Sequence, residues 1–236
     1  ETVRHFFRAG GSSGTIAKAM SAYDKDFSDA IYGEEEDGRY VTESRLRKML
    51  AHETELMEQR LKRERHPNKL FFSYANTVAT IDFAKKFKGH GWVGINYQLE
   101  PNEGYNEIIL HIRFKETDAR LQQETLGTLG VNLIYGAFYK HDDPKKLLRY
   151  LYDHLDKDQI EIDSVNFSGP VFENVDNRLM SLQLVKNGMT DAVMFNPEGK
   201  NILPAAVLYK KNILTLRGSF RPVTKVNMNM YKRSYE

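Results

Sequence analysis

The residue types best suited to chemistry gather in two stretches of this chain. In the first, Gly10-Gly11-Ser12-Ser13-Gly14-Thr15 runs into Ile16-Ala17-Lys18, placing three glycines and three hydroxyl side chains where a loop is expected to enter a helix. Glycine lets the backbone come close to a ligand. The free amides at a helix start, at the positive end of the helix dipole, attract an anion. Gly11, Ser12, Ser13, Gly14, Thr15 and Lys18 are therefore the candidate anion-binding residues, suited to a phosphorylated or nucleotide-like metabolite. The spacing is neither that of a Walker A loop, which requires Gly-x-x-x-x-Gly-Lys-Ser/Thr, nor that of a Rossmann loop, since no strong strand precedes it. The competing reading is a turn in which Ser13 or Thr15 caps its own helix.

The second stretch is a pair of alternating segments, Gly91 to Leu99 and Tyr105 to Phe114, joined by the turn residues Glu100-Pro101-Asn102-Glu103-Gly104. Val93, Ile95, Tyr97 and Leu99 share one face with Ile108, Leu110, Ile112 and Phe114. The opposite face carries Trp92, Asn96, Gln98, Glu107, His111 and Arg113. A turn centred between Asn102 and Glu103 would set Gln98 against Glu107, Gly94 against His111 and Trp92 against Arg113. His111, Glu107 and Arg113, together with His90 between two glycines, are the candidate catalytic residues for proton transfer and charge stabilisation. The competing reading is the solvent side of an antiparallel sheet.

Other constellations are sparser. Ser168-Gly169-Pro170 followed by Asp176-Asn177-Arg178 resembles a site at a strand's carboxyl end, or else a helix cap with a local ion pair. Arg217 and Arg221 flank Gly218-Ser219 as a further anion site or as surface charges. The chain has no cysteine, and no His-x-x-x-His or His-Glu-x-x-His spacing, so no metal ligands are assigned and no cofactor is identified.

The elements that must position these residues read as follows. A helix is expected from about Thr15 to Ile31, broken by the acidic run Gly33-Glu34-Glu35-Glu36-Asp37-Gly38. Thr42 caps a second helix whose Leu46, Met49, Leu50, Leu56, Met57 and Leu61 recur at helical spacing. Leu70 to Ala75 reads as a strand, and 78–87 as a short helix. Asp118 to Tyr139 reads as a helix in which three glycines imply close approach of a neighbour, and Asp143-Pro144 opens another. Strands are expected at 160–167, 192–195 and 213–216, with a helix at 175–186. The fold class is α/β (mixed α+β): a mixed sheet containing an antiparallel hairpin, flanked by helices. The N-terminal helical section spans 1–66 and the sheet–helix domain 67–236, unless the two form one domain.

Composition narrows the function classes. With 34 basic and 32 acidic side chains among 236 residues, the formal net charge is +2, which removes the usual electrostatic basis for nucleic-acid binding. No apolar run approaches the roughly 20 residues of a membrane helix, and no signal peptide precedes the first motif. The absence of cysteine fits a cytoplasmic address.

Several phrases resemble a bacterial protein family. They include Gly10-Gly11-Ser12-Ser13-Gly14-Thr15-Ile16-Ala17-Lys18, Ser28-Asp29-Ala30-Ile31-Tyr32-Gly33, His90-Gly91-Trp92-Val93-Gly94-Ile95 and Gly130-Val131-Asn132-Leu133-Ile134-Tyr135-Gly136. Val175-Asp176-Asn177-Arg178 and Arg217-Gly218-Ser219-Phe220-Arg221-Pro222 extend the likeness along most of the chain. Members of that family carry the labels TonB-dependent receptor and nicotinate-nucleotide adenylyltransferase, and the resemblance implies a longer protein with a further domain. An outer-membrane barrel needs many alternating lipid-facing strands, which the residues do not provide. The adenylyltransferase class carries a paired-histidine signature that Gly89-His90-Gly91 does not match. The function expected is a cytoplasmic enzyme domain that binds a phosphorylated or nucleotide-like metabolite through the glycine loop. The alternative is a non-enzymatic assembly module presenting the charged helix that follows Thr42.

Overall fold

Three strands within residues 72–114 build the centre of the fold. The computed structural model describes residues 1–36, 38–208 and 210–234. In it, β1 (Phe72–Ala79), β2 (His90–Tyr97), β3 (Asn106–Phe114) and β4 (Ile160–Ser168) form a sheet of order β1-β2-β3-β4. The mixed α+β class stands, but all three pairings in this sheet are antiparallel. Between β3 and β4 lie two helices, α4 (Ala119–Tyr139) and α5 (Pro144–Tyr150), rather than one. Two helical passes return the chain reversed, whereas the single pass of a βαβ unit would have made the strands parallel.

One sheet face packs on these helices. Val93, Ile95, Tyr97, Ile108, Leu110, Ile112 and Phe114 are buried against Leu129, Leu133, Ala137 and Leu147. Both helices start where the sequence supplies a cap: Asp118 accepts from the Arg120 and Leu121 amides, and Asp143 accepts from the Lys146 amide. The glycines of α4 admit α1 (Thr2–Ala9), since a Cβ at Gly130 would lie 2.1 Å from Thr2 Oγ1 and 2.6 Å from the Tyr74 hydroxyl.

The other face is not the solvent side. The long helix α3 (Glu43–Arg60) starts at Thr42, whose hydroxyl accepts from the Arg45 amide, and it lays Leu46 and Leu50 on Ala75, Trp92 and Ile109. Gly94 is the point of closest approach, where a Cβ would meet both leucines at 3.0 Å. The hairpin is thus buried on both faces, which a polar Glu107, His111 and Arg113 row does not suggest.

Four expectations from the sequence are corrected. No helix starts at Thr15: Ser12–Gly14 form one 3-10 turn, and the next helix is α2 (Lys25–Tyr32), begun by Asp24 accepting from the Phe27 amide. Residues 15–24 are mostly exposed, so a helix there would bury little apolar surface against the rest of the fold. The helix expected over 78–87 is absent because β1 runs on to Ala79 and Asp82 then organises a turn by accepting from the Lys86 and Phe87 amides. The strand expected at 192–195 shrinks to β5 (Met194–Phe195), paired with β6 (Asn201–Ile202). The strand expected at 213–216 is unpaired and irregular, with Ile213 and Leu214 exposed. The remaining helices are α6 (Asn177–Lys186), α7 (Pro204–Val207) and α8 (Lys225–Arg233). No helix among the described residues is long and apolar enough to cross a membrane.

Candidate functional site

The hairpin register differs by two residues from that expected. Asn96 faces Glu107, Gly94 faces Ile109, Trp92 faces His111 and His90 faces Arg113. Because side chains alternate with period two, a two-residue shift leaves every side chain on its expected face and changes only its neighbours. The change brings His90 beside His111 and Arg113, and moves Trp92 from Arg113 to His111, with ring centroids 4.8 Å apart.

The polar cluster is completed from β4. Its apolar alternation, Ile160 and Ile162, then Val165 and Phe167, slips phase across Asp163-Ser164, and the pairing with β3 shifts at the same point. This β-bulge turns the Asp163 carboxylate onto the His111 and Arg113 side of the sheet. His111 Nδ1 lies 2.5 Å from Asp163 Oδ1, and the Arg113 Nε donates to Asp163 Oδ2 at 2.9 Å. The His90 Nδ1 lies 3.2 Å from His111 Nε2. Asp163 was not among the candidates read from the sequence. The phase slip is the signal that would have found it.

This order of contacts fixes the tautomers. A carboxylate only accepts, so His111 donates from Nδ1 to Asp163, and the neutral ring presents Nε2 as an acceptor. His90 then donates from Nδ1, and its own Nε2 is left bare. Burial and solvation change along the chain of contacts: Asp163 and His111 are buried, His90 is half-buried and the Arg113 side chain is 41% exposed. Burial first, and then the charge of the neighbouring Arg113, hold the His90 pKa below its ordinary value, against an opposing pull from Asp163. His90 is therefore neutral at neutral pH, with Nε2 ready to accept a proton.

Glu107 is not brought into this cluster. It lies on the same face of β3, separated from His111 by the buried Ile109, and its carboxylate is held by Arg47 of α3 and by the Ser168 hydroxyl at 3.3 Å. Burial of Arg47 is outweighed by Glu43 and Glu107, which raise its pKa.

The glycine loop is placed apart from both. Gly11, Ser12, Ser13, Gly14 and Thr15 lie in or beside the 3-10 turn, where the Thr15 and Ile16 amides both donate to the Ser12 carbonyl. The helix start on which an anion cradle depended is missing, and the Thr15 amide is already used. Lys18 Nζ is bound to Glu53 of α3 at 2.9 Å, and Glu53 also accepts from the Tyr32 hydroxyl. Next to this, the buried Arg45 donates to the Ser28 hydroxyl and the Gly33 carbonyl and pairs with Asp29. These contacts bind residues 18–35 across α3, so part of the charged helix face expected to serve assembly is covered.

A cleft of about 680 Å³ lies at the far end of α3, lined by Glu58, Arg63, Phe71, Gln98, Glu103 and Tyr105. Gln98 is buried there, accepting from Arg63 and the Phe71 amide and donating to the Glu103 carbonyl. Asp176 caps α6 and pairs with Arg178, as one sequence reading had it. Among the described residues no group of three or more His, Asp or Glu side chains is arranged to hold a metal ion. No protein-family model, curated protein or solved structure matches the chain.

Proposed function

We propose that this chain is an acid–base catalytic domain in which His90 Nε2 exchanges the proton with substrate. The observation that carries this reading is the unbroken hydrogen-bonded chain Asp163–His111–His90, running from a buried carboxylate to a half-buried imidazole. When Nε2 of His90 takes a proton, Nδ1 passes its own to His111 Nε2. The imidazolium so formed on His111 lies against the Asp163 carboxylate, which stabilises it. The positive charge thus moves inward to its counter-ion and leaves His90 neutral with the proton on Nε2; giving that proton back to substrate, while His111 hands its own back to His90 Nδ1, restores the starting tautomers.

The substrate class is a small phosphorylated or nucleotide-like anion. Arg113 supports this: its Nε is occupied by Asp163, whereas the exposed end of its guanidinium remains at the surface beside His90. The glycine loop takes no part, for the reasons of geometry above. The lack of cysteine agrees with a cytoplasmic setting.

The test is a screen of phosphate monoesters, nucleotides and sugar phosphates by thermal shift, followed by turnover assays on those that bind. His90→Asn should abolish turnover while binding persists, and Arg113→Met should weaken binding. Turnover at the wild-type rate in His90→Asn would refute the proposal.

A further inference from the structure

The two edges of the main sheet are finished differently. On β4, several outward-pointing backbone groups are occupied: Asn177 accepts from the Phe167 amide and donates to the Phe167 carbonyl, Asn201 donates to the Val165 carbonyl, and the Ile162 amide donates to the Met189 carbonyl. On β1, the Gln98 amide donates to the Phe71 carbonyl, so with the observed register the odd-numbered residues bond to β2. Phe72, Tyr74, Asn76 and Val78 therefore turn four N–H and four C=O groups outward. Among the described residues these groups have no hydrogen-bond partner.

An open edge is normally blunted by lysine, proline, a bulge or a short strand. β1 has none of these: Phe72-Ser73-Tyr74-Ala75-Asn76-Thr77-Val78-Ala79 is eight residues long, uncharged and regularly paired with β2 throughout. The contrast with the plugged edge at β4 marks β1 as the edge left open for pairing.

We infer that β1 pairs antiparallel with β1 of a second copy of this chain, joining two sheets into one continuous sheet. An antiparallel edge is self-complementary about a two-fold axis. With the axis at Ala75, Phe72 faces the partner's Val78 and Tyr74 faces the partner's Asn76, so all the outward amides and carbonyls are satisfied at once. On the α3 side, Ala75 meets the partner's Ala75 and Ser73 meets the partner's Thr77. These small side chains let the strands close to ladder distance, and no like charges oppose each other.

The experiment reads mass and register in the full chain. Light scattering at micromolar and higher concentrations should give twice 27.3 kDa. The chain has no cysteine, so Ala75→Cys introduces a single thiol. In the non-hydrogen-bonded pair at the axis, Cα atoms lie about 4.5 Å apart, within disulfide range, so this variant should cross-link under mild oxidation. Asn76→Pro removes an outward N–H without touching the β2 ladder, and it should raise the dimer dissociation constant by about tenfold or more. Val78→Lys, which sets a cation opposite Phe72, should act likewise and serves if the proline variant does not fold. A monomer at every concentration overturns the inference. So does a dimer indifferent to both edge variants, or one in which the Ala75→Cys variant fails to cross-link.

Discussion

His111 Nδ1 sits 2.5 Å from Asp163 Oδ1, and the two side chains are only 1% and 6% exposed. Such a pair is expensive to desolvate and persists only when both partners are satisfied. Here the carboxylate also receives Arg113, and His111 passes its remaining nitrogen to His90.

Asp163→Asn should cost about 2–3 kcal/mol of stability, measured by urea denaturation. Two donors, His111 Nδ1 and Arg113 Nε, converge on this side chain. An amide offers them one oxygen and turns an NH2 toward the other. Replacing the half-buried His90 by glutamine should cost less than about 1 kcal/mol at neutral pH.

The pH dependence follows from His90. Its folded pKa lies below the ordinary value of 6.5, so below that pH the unfolded chain binds more protons at this position than the folded one. The stability contributed is therefore complete above 6.5 and is lost as the pH falls through 6.5 toward the folded pKa. Urea midpoints should fall more steeply for wild type than for His90→Gln between neutral pH and about pH 5. Parallel curves would contradict the assignment.

Arg45→Met should destabilise by about 3–5 kcal/mol, because Asp29 and the Gly33 carbonyl lose the buried guanidinium that both of them face. The same change should raise hydrogen exchange in α2 more than in β2 or β3. Equal exchange increases throughout would mean that Arg45 supports the whole fold and not the attachment of residues 24–35.

Gly130→Ala separates helix propensity from packing. Alanine is favoured in an isolated helix by about 1 kcal/mol. The added methyl would meet Thr2 Oγ1 at 2.1 Å and the Tyr74 hydroxyl at 2.6 Å. A net loss of about 1–3 kcal/mol is expected from unfolding curves, with α1 exchanging faster than α4.

Much of the sheet was legible because its signals are local. Period-two alternation marked β2 and β3, and Thr42, Asp118 and Asp143 marked helix starts that the structure keeps. The antiparallel return of β4, the helix α1 and the covering of the second face depend on which surfaces meet, and a single strand's pattern does not carry that. His90, His111 and Arg113 were recognisable as polar residues on one face, but their grouping needed the register. Asp163 needed the bulge. The glycine loop misled because Gly10 and Gly11 do mark a turn, at φ 78° and 67°, whereas the residues after it lack the apolar stripe that would make a helix.

Long-range proton–nitrogen correlation spectra of the imidazole rings at neutral pH test the relay most directly. The account predicts His111 protonated at Nδ1 with an unprotonated Nε2, and His90 protonated at Nδ1 with a bare Nε2, the His111 pattern being lost in Asp163→Asn. A proton on His90 Nε2 with an unprotonated Nδ1 would reverse the bond to His111 and contradict it.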